Sequence, residues 1–456
     1  MTKKNPDILF PTASPEQVAN ALQPLMEFRD EGISLDELSR LLDSCLIPHL
    51  TRYNLPEFHS LYNCFPEKGA EFGAKIAVEF NQGVTNWQVS PGGAMLEELC
   101  CSALCRLFGL PASAGATFMY CGTYANQQAL YLALHRKAEQ FGFDFAKTGI
   151  AGFPDPRRLT AVVSQDAHFS LRHALRILGL GDDSLITVPV DENRRLDADR
   201  LSEILDEIKD TKDVFCIVST AGTTSAGSVD PVVPLIEMAE NAGAWLHVDG
   251  AYGLAFNLVP EYKHLFSGFE QADSVCWDPH KQFAVPIPNS LLFLRRKEDF
   301  NRMAIFGDYF NREDDPEPNP GLKSPPSTRP FSALPLIASI LYRGMTKIIE
   351  DLRTPVEAIK GLAEELDKAP DFEVCHRPDT GLLCLRFVPP GFPEERLDKL
   401  QKYIYEKMKA EGKRSIAMTR FDDKTVLRFV AISPVVTTGA MLDTISYIRS
   451  IDRSEI

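Results

Sequence analysis

The sequence predicts an α/β protein: a large domain on a mainly parallel sheet, followed by a small α+β C-terminal domain. Three observations carry this. Between Phe118 and Leu294, short apolar runs alternate with helical stretches, the pattern of strands joined by crossovers. After about residue 334, strands and helices alternate again over a shorter span. The 456 residues are 44% hydrophobic and 24% charged, enough apolar material for a sizeable core in a soluble chain.

Taken in order, residues 1–80 read as an N-terminal helical segment. Within it Ser34 caps a helix starting at Leu35, with Glu37 in the capping-box position. Such an arm could pack on a partner subunit. A turn-rich stretch, Asn86 to Gly93, precedes a long helical pattern from Met95 to Leu107 that ends at Gly109. The large domain is drawn over residues 81–333. Its strands are Ala161–Val163, Leu185–Val188, Val214–Val218, Ala244–Val248, Ser274–Trp277 and Ser290–Leu294, with helices over Arg200 to Ile208 and Pro234 to Glu240. Ligands of such sheets bind beyond the carboxyl ends of strands, where Asp249 and Thr220 to Thr224 fall. Residues 311–330, rich in proline and charge, cannot form a regular element and read as a linker or a mobile loop. A helix from Leu334 to Ile349 then opens the small domain, residues 334–456, with strands at 382–387, 415–418 and 426–430.

A net charge of −15 argues against a general nucleic-acid binder. There is no apolar run of membrane-spanning length and no charged-then-apolar leader after Met1, so a cytoplasmic location is expected. The ten cysteines form no CxxC pair and read as reduced thiols, with no metal site expected.

The chemistry starts from Asp278-Pro279-His280-Lys281. A lysine just past a buried strand end is costly to desolvate, and a desolvated amine can form a Schiff base with a carbonyl, including that of pyridoxal 5'-phosphate (PLP). PLP also needs an acidic partner for its ring nitrogen, and Asp249, ending the run Ala244 to Val248, is a candidate. Ala251 would leave flat space for a ring. Gly122-Thr123, opening a helix, could bind a phosphate, although an ordinary helix cap reads the same way. His168 could stack on a heterocycle or simply cap a helix. The small residues from Ser219 to Ser228 would admit a ligand close to the backbone. His280 could donate to the phosphate, while Lys281 alone could be a snorkelling surface lysine.

Together, and in this order, these residues resemble the group II PLP-dependent amino-acid decarboxylases, the family of glutamate and aromatic amino-acid decarboxylases. The resemblance rests on Ser90-Pro91 with Met95-Leu96-Glu97, Gly122-Thr123 and Asn126, and Ala167-His168-Phe169-Ser170. Gly222-Thr223-Thr224, His247-Val248-Asp249-Gly250-Ala251, Asp278-Pro279-His280-Lys281 and Leu427-Arg428-Phe429 complete it. It implies PLP fold type I, aspartate aminotransferase-like, in a homodimer with active sites at the interface, and a role in amino-acid metabolism. It implies Lys281 as the Schiff-base lysine, Asp249 on the ring nitrogen, and His168 and Ala251 on the two ring faces. Thr224 would face the ring's phenolic oxygen, and Gly122, Thr123 and His280 would hold the phosphate. Trp87, Gln88 and Arg428 match substrate-contact positions; a structural salt bridge is the other reading of Arg428. The implied reaction is decarboxylation of an L-amino acid.

The chain departs from the family in one place that matters. The family commonly carries a proton-donating tyrosine on the loop after the lysine, and residues 311–331 contain none; Tyr309 lies just before. This leaves open an oxidative decarboxylation–deamination to an aldehyde, or carbon–carbon lyase chemistry. Gly250 also replaces the alanine common after the aspartate, with little effect expected.

Overall fold

In the computed structural model, residues 9–307 and 311–454 are described. Packing divides the chain into two units. The larger holds Cys64–Val356 together with His376–Thr380; the smaller holds the chain up to Asn63, Glu357–Cys375 and the C-terminal stretch from Gly381.

The larger unit is built on a seven-stranded sheet in the order Gly115–Met119, Ser290–Leu294, Ser274–Trp277, Trp245–Asp249, Asp213–Thr220, Leu159–Ser164, Leu185–Val188. The strands from Ser274–Trp277 to Leu185–Val188 pair in parallel. Ser290–Leu294 runs antiparallel to both its neighbours. The reason is local: no helical crossover separates Trp277 from Ser290, so the chain returns in the opposite sense. The central strands are largely apolar and buried at every position but Asp213, as expected of a sheet covered on both faces. Helices Gly122–Gln140, Ser170–Ile177 and Val232–Asn241 connect strands. Leu130, Ala133 and Leu134 of the first pack with Phe215, Trp245 and Leu292 in one core. Parallel strands of this kind bring Thr220, Asp249 and Trp277 to the same, carboxyl edge of the sheet.

The proline-rich stretch is tied to this unit. The N–H of Gly321 donates to Thr85 O at 2.7 Å and Gln128 Nε2 to Lys323 O at 2.6 Å. Lys323 Nζ meets both carboxylate oxygens of Glu98 at 2.6 Å. Arg329, 3% exposed, donates to Glu97, to Ser324 Oγ and, at 3.1 Å, to Thr117 Oγ1. Burial pushes the Glu97 carboxyl above its usual range, against the pull of Arg329 and Lys323. Removing one partner of such a buried pair strands the other. Arg329→Met is therefore expected to lower unfolding stability by about 3–5 kcal/mol in urea titration; a loss below about 1 kcal/mol would show that the pair does not hold the strap. Tyr309 lies outside the described residues.

The smaller unit carries a five-stranded sheet in the order Phe58–His59, Ser415–Phe421, Lys424–Val430, Leu382–Phe387, Phe372–Val374. Helices Leu397–Glu411 and Thr438–Ser450 pack on it, burying Leu400, Ile404 and Ile445 against Leu383 and Phe429. These units differ from a division at residues 80 and 333. Phe58–His59 pairs in parallel with Ser415–Ile416, and Leu9 donates to Gly412 O at 2.8 Å, so the chain up to Asn63 belongs with the C-terminal sheet. The boundary at Val356 falls inside a helix, Ala333–Leu366, that is interrupted at Gly344 (φ +68°).

Candidate active site

Two turns at the carboxyl edge of the large sheet are fastened together. Asp278 N–H donates to Ala251 O at 3.0 Å, and Ala221 N–H to Asp249 O at 2.8 Å. Past the strand Ser274–Trp277 the chain closes a turn, Lys281 N–H to Asp278 O at 3.1 Å, and Cys64 Sγ donates to Lys281 O at 2.9 Å. The backbone under Lys281 is thus held on both sides. Its side chain is 22% exposed and its Nζ lies 3.4 Å from Asp278 Oδ2. Ser290 Oγ donates to the other oxygen of Asp278 at 2.6 Å. His280 Nδ1 sits against the backbone of Asn289, and its Nε2 is 3.6 Å from Asp278 Oδ2.

Asp249 ends its strand and is 5% exposed. A carboxylate buried this far must be satisfied by donors. Asn126 Nδ2 reaches Oδ2 at 2.8 Å, and Ala251 N–H reaches Oδ1 at 3.1 Å. Cys276 Sγ lies 3.3 Å from Oδ1. Burial pushes this carboxyl up, but His247, Lys281, the Asn126 hydrogen bond and His168 together outweigh it and hold Asp249 below the usual carboxylate range. Asp249 is therefore an anion without an ion pair at hydrogen-bond distance among the described side chains. That is the state in which a carboxylate can hold a protonated ring nitrogen, and it is the observation by which the site fits PLP.

His168 lies between the strand Leu159–Ser164 and the helix Ser170–Ile177. Its Nδ1 accepts from Ser170 N–H at 3.2 Å, so the neutral ring carries its proton on Nε2. Burial lowers its pKa; Asp249 raises it and Lys281 lowers it, so the three share one electrostatic field. Gly122 and Thr123 open the helix Gly122–Gln140, whose N-terminal N–H groups and dipole favour an anion. A Cβ on Gly122 would lie 2.9 Å from Asp278 Oδ2 and 3.1 Å from Ala251 Cβ. Both neighbours are buried, so the approach of this helix end to the Lys281 turn requires glycine there. Gly250 is restricted too: a Cβ would meet Cys276 O at 2.8 Å and Leu254 Cβ at 2.9 Å. Glycine is thus what this packing admits.

The structure brings Gly122, Asp249, Ala251, His280 and Lys281 together with His168. Thr224 is exposed on the loop after Asp213–Thr220; its buried neighbour Thr223 accepts from Ser228 N–H at 3.2 Å and shapes that loop. Trp87 and Gln88 are exposed on the turn before the helix Pro91–Leu107. Arg428 lies in the smaller unit, on Lys424–Val430, buried over the Tyr62 ring and donating to Ser60 O at 2.9 Å; no ion pair is formed there among the described residues. Sequence reasoning gave no role to Asn126, Ser170, His247, Ser274, Cys276 or Asp278. Position was the available signal: Asn126 falls one helical turn after Gly122, and His247 two residues before Asp249 on the same strand face.

The buried histidines give the protein a pH dependence. Burial brings the His247 pKa down to about 4, against about 6.5 for an unfolded histidine. Between those values the unfolded chain binds more protons, so stability rises with pH and is lost as pH falls from 6.5 toward 4. His247 alone contributes a loss of about 2 kcal/mol between pH 7 and pH 5. The His247 imidazole, followed by NMR, should titrate well below pH 6.5; titration near 6.5 would contradict a buried neutral His247.

A family profile described as "Pyridoxal-dependent decarboxylase conserved domain" matches residues 15–388. L-2,4-diaminobutyrate decarboxylase of Acinetobacter baumannii is 29% identical over 368 residues, 78% of this chain and 72% of that protein. Aspartate 1-decarboxylase of Aliivibrio fischeri is 28% identical, over 84% of this chain and 76% of the relative. Among solved structures, Oryza sativa TDC with PLP and tryptamine superposes with a TM-score of 0.88 at 22% identity, covering 97% of this chain and 92% of that one.

Proposed function

Because the chain belongs to the pyridoxal-dependent decarboxylase family, a PLP enzyme and carboxy-lyase of fold type I, we propose that it decarboxylates an L-amino acid at the Lys281–Asp249 cluster. The observation that carries the reading is Asp249, buried yet held as an anion in the field of Lys281 and His168. PLP, when bound, supplies the electron sink for the pair left behind as CO₂ departs. Lys281 would hold the coenzyme through Nζ, and Asp278 Oδ2, 3.4 Å from that amine, would balance its charge. Asp249 accepts the proton-bearing ring nitrogen. Gly122 and Thr123 receive the phosphate at the helix N-terminus, with His280 beside them. His168 covers a ring face with its proton on Nε2, and Ala251 lines the other. Thr224 stands for the ring's oxygen substituent.

Substrate contacts at Trp87, Gln88 and Arg428 belong to this proposal by their positions in the sequence alone. The proposal includes a homodimer in the cytoplasm. The helix Lys68–Phe80 leaves Phe72, Val78 and Phe80 exposed, apolar side chains that a second copy would cover. No helix among the described residues is long and apolar enough to cross a membrane.

One sequence fact favours a second reading. Residues 311–331 hold no tyrosine to protonate the substrate carbon, which leaves an oxidative outcome open, giving an aldehyde and ammonia with oxygen as oxidant. Carbon–carbon lyase chemistry is the remaining variant. A panel of basic, acidic, aromatic and aliphatic amino acids, assayed for CO₂, amine, ammonia, hydrogen peroxide and aldehyde, separates these. Amine and CO₂ in equal amounts support simple decarboxylation; aldehyde with peroxide supports the oxidative route. Absence of CO₂ from every substrate would overturn both.

A further inference from the structure

Behind Asp249 runs a chain of buried hydrogen-bonding groups, the first of them the indole N–H of a core tryptophan. Trp245 Nε1 donates to Ser274 Oγ at 2.7 Å, and Ser274 Oγ lies 2.8 Å from His247 Nδ1. His247 Nε2 lies 2.9 Å from Asn126 Oδ1, and Asn126 Nδ2 donates to Asp249 Oδ2 at 2.8 Å. Trp245, His247 and Ser274 are 0% exposed and Asn126 is 1% exposed, so each must find its partners within the protein.

The direction of this chain and the charge of Asp249 are linked. An ionised carboxylate only accepts, so the Asn126 amide must turn its NH₂ toward Asp249 and its oxygen toward His247. His247, neutral because it is buried, then carries its proton on Nε2, and its Nδ1 accepts from the Ser274 hydroxyl. Ser274 in turn accepts from the Trp245 indole, which can only donate. Every group is then satisfied. The second N–H of Asn126 goes to Ser170 Oγ at 2.9 Å, and Cys276 Sγ lies 3.3 Å from Asn126 Oδ1. Reversing the Asn126 amide would set two oxygens 2.8 Å apart, tolerable only with a proton on Asp249.

We infer that Trp245, Ser274, His247 and Asn126 form a directional hydrogen-bond relay that keeps Asp249 an acceptor, and thereby keeps the coenzyme ring nitrogen protonated. All four are positioning residues, acting through Asp249. The inference rests on the reading of Asp249 given above.

The test uses the holoprotein loaded with PLP carrying ¹⁵N at the ring nitrogen, whose chemical shift reports ring protonation as pH is varied. His247→Phe removes the donor to Asn126 and should lower the midpoint of ring protonation by about one pH unit, the equivalent of one lost hydrogen bond. Ser274→Ala, which removes less of the core, should move it the same way. His247→Gln, which returns an N–H toward Asn126, should restore it. Asp249→Ala separates the two claims, because it should lower the midpoint whether or not a relay exists. If Asp249→Ala shifts the midpoint while folded His247→Phe and Ser274→Ala leave it unmoved, the relay is overturned. If Asp249→Ala itself has no effect, the assignment of Asp249 fails and the relay with it. Should His247→Phe not fold, Ser274→Ala decides.

Discussion

Replacing Lys281 with alanine lowers turnover by on the order of 10³-fold or more and leaves PLP that borohydride no longer fixes to the protein. The expectation follows from the turn that carries this lysine. Its backbone is fixed from Asp278 and from Cys64, and its ammonium is steered to Asp278 rather than to open solvent. Non-covalent affinity should survive in part, because the helix end at Gly122 and the carboxylate of Asp249 are untouched. The measurement is paired: turnover under saturating substrate, and the fraction of coenzyme retained after reduction and denaturation. A variant that still retains reduced coenzyme would move the covalent site to another lysine.

Asp249→Asn keeps the shape of the side chain and removes its charge. The site needs that charge, since four neighbours outweigh burial to preserve it. Turnover should fall on the order of 10²–10³-fold, the size of effect that accompanies loss of one preorganised electrostatic contact. Coenzyme content should remain near that of the parent protein. Asparagine also loses an acceptor, because one of the two oxygens that accept from Asn126 Nδ2 and Ala251 N–H becomes an NH₂. Near-parental turnover in a PLP-loaded Asp249→Asn protein would remove Asp249 from the chemistry.

The parts of this protein that can be read from the sequence are those encoded locally. Trp245–Asp249 and Ser274–Trp277 are short apolar runs ending in a polar residue, and each folds as a buried strand with that residue at or just past its end. The order of Gly122, His168, Asp249 and Lys281 was visible because each sits at an element boundary. The pairings that are far apart in sequence were not visible. Asn126 meets His247 and Asp249 across 121 and 123 residues, and Glu97 meets Arg329 across 232. Phe58–His59, too short to register as a strand by pattern, pairs with a strand beginning at Ser415 and so places the N-terminal segment in the smaller unit. The same reason explains the proline-rich stretch. Its composition rules out helix or strand, but the residues that fix it, Glu97, Glu98 and Gln128, lie on helices elsewhere in the chain.

The central claim is that Lys281 carries the coenzyme. Borohydride reduction of the parent holoprotein, followed by proteolysis and mass mapping, tests it without any substitution. The account predicts one modified peptide, spanning Lys281 and bearing the mass of a reduced phosphopyridoxyl group. Modification at a different lysine, or a protein that holds PLP with no reducible attachment, would contradict it.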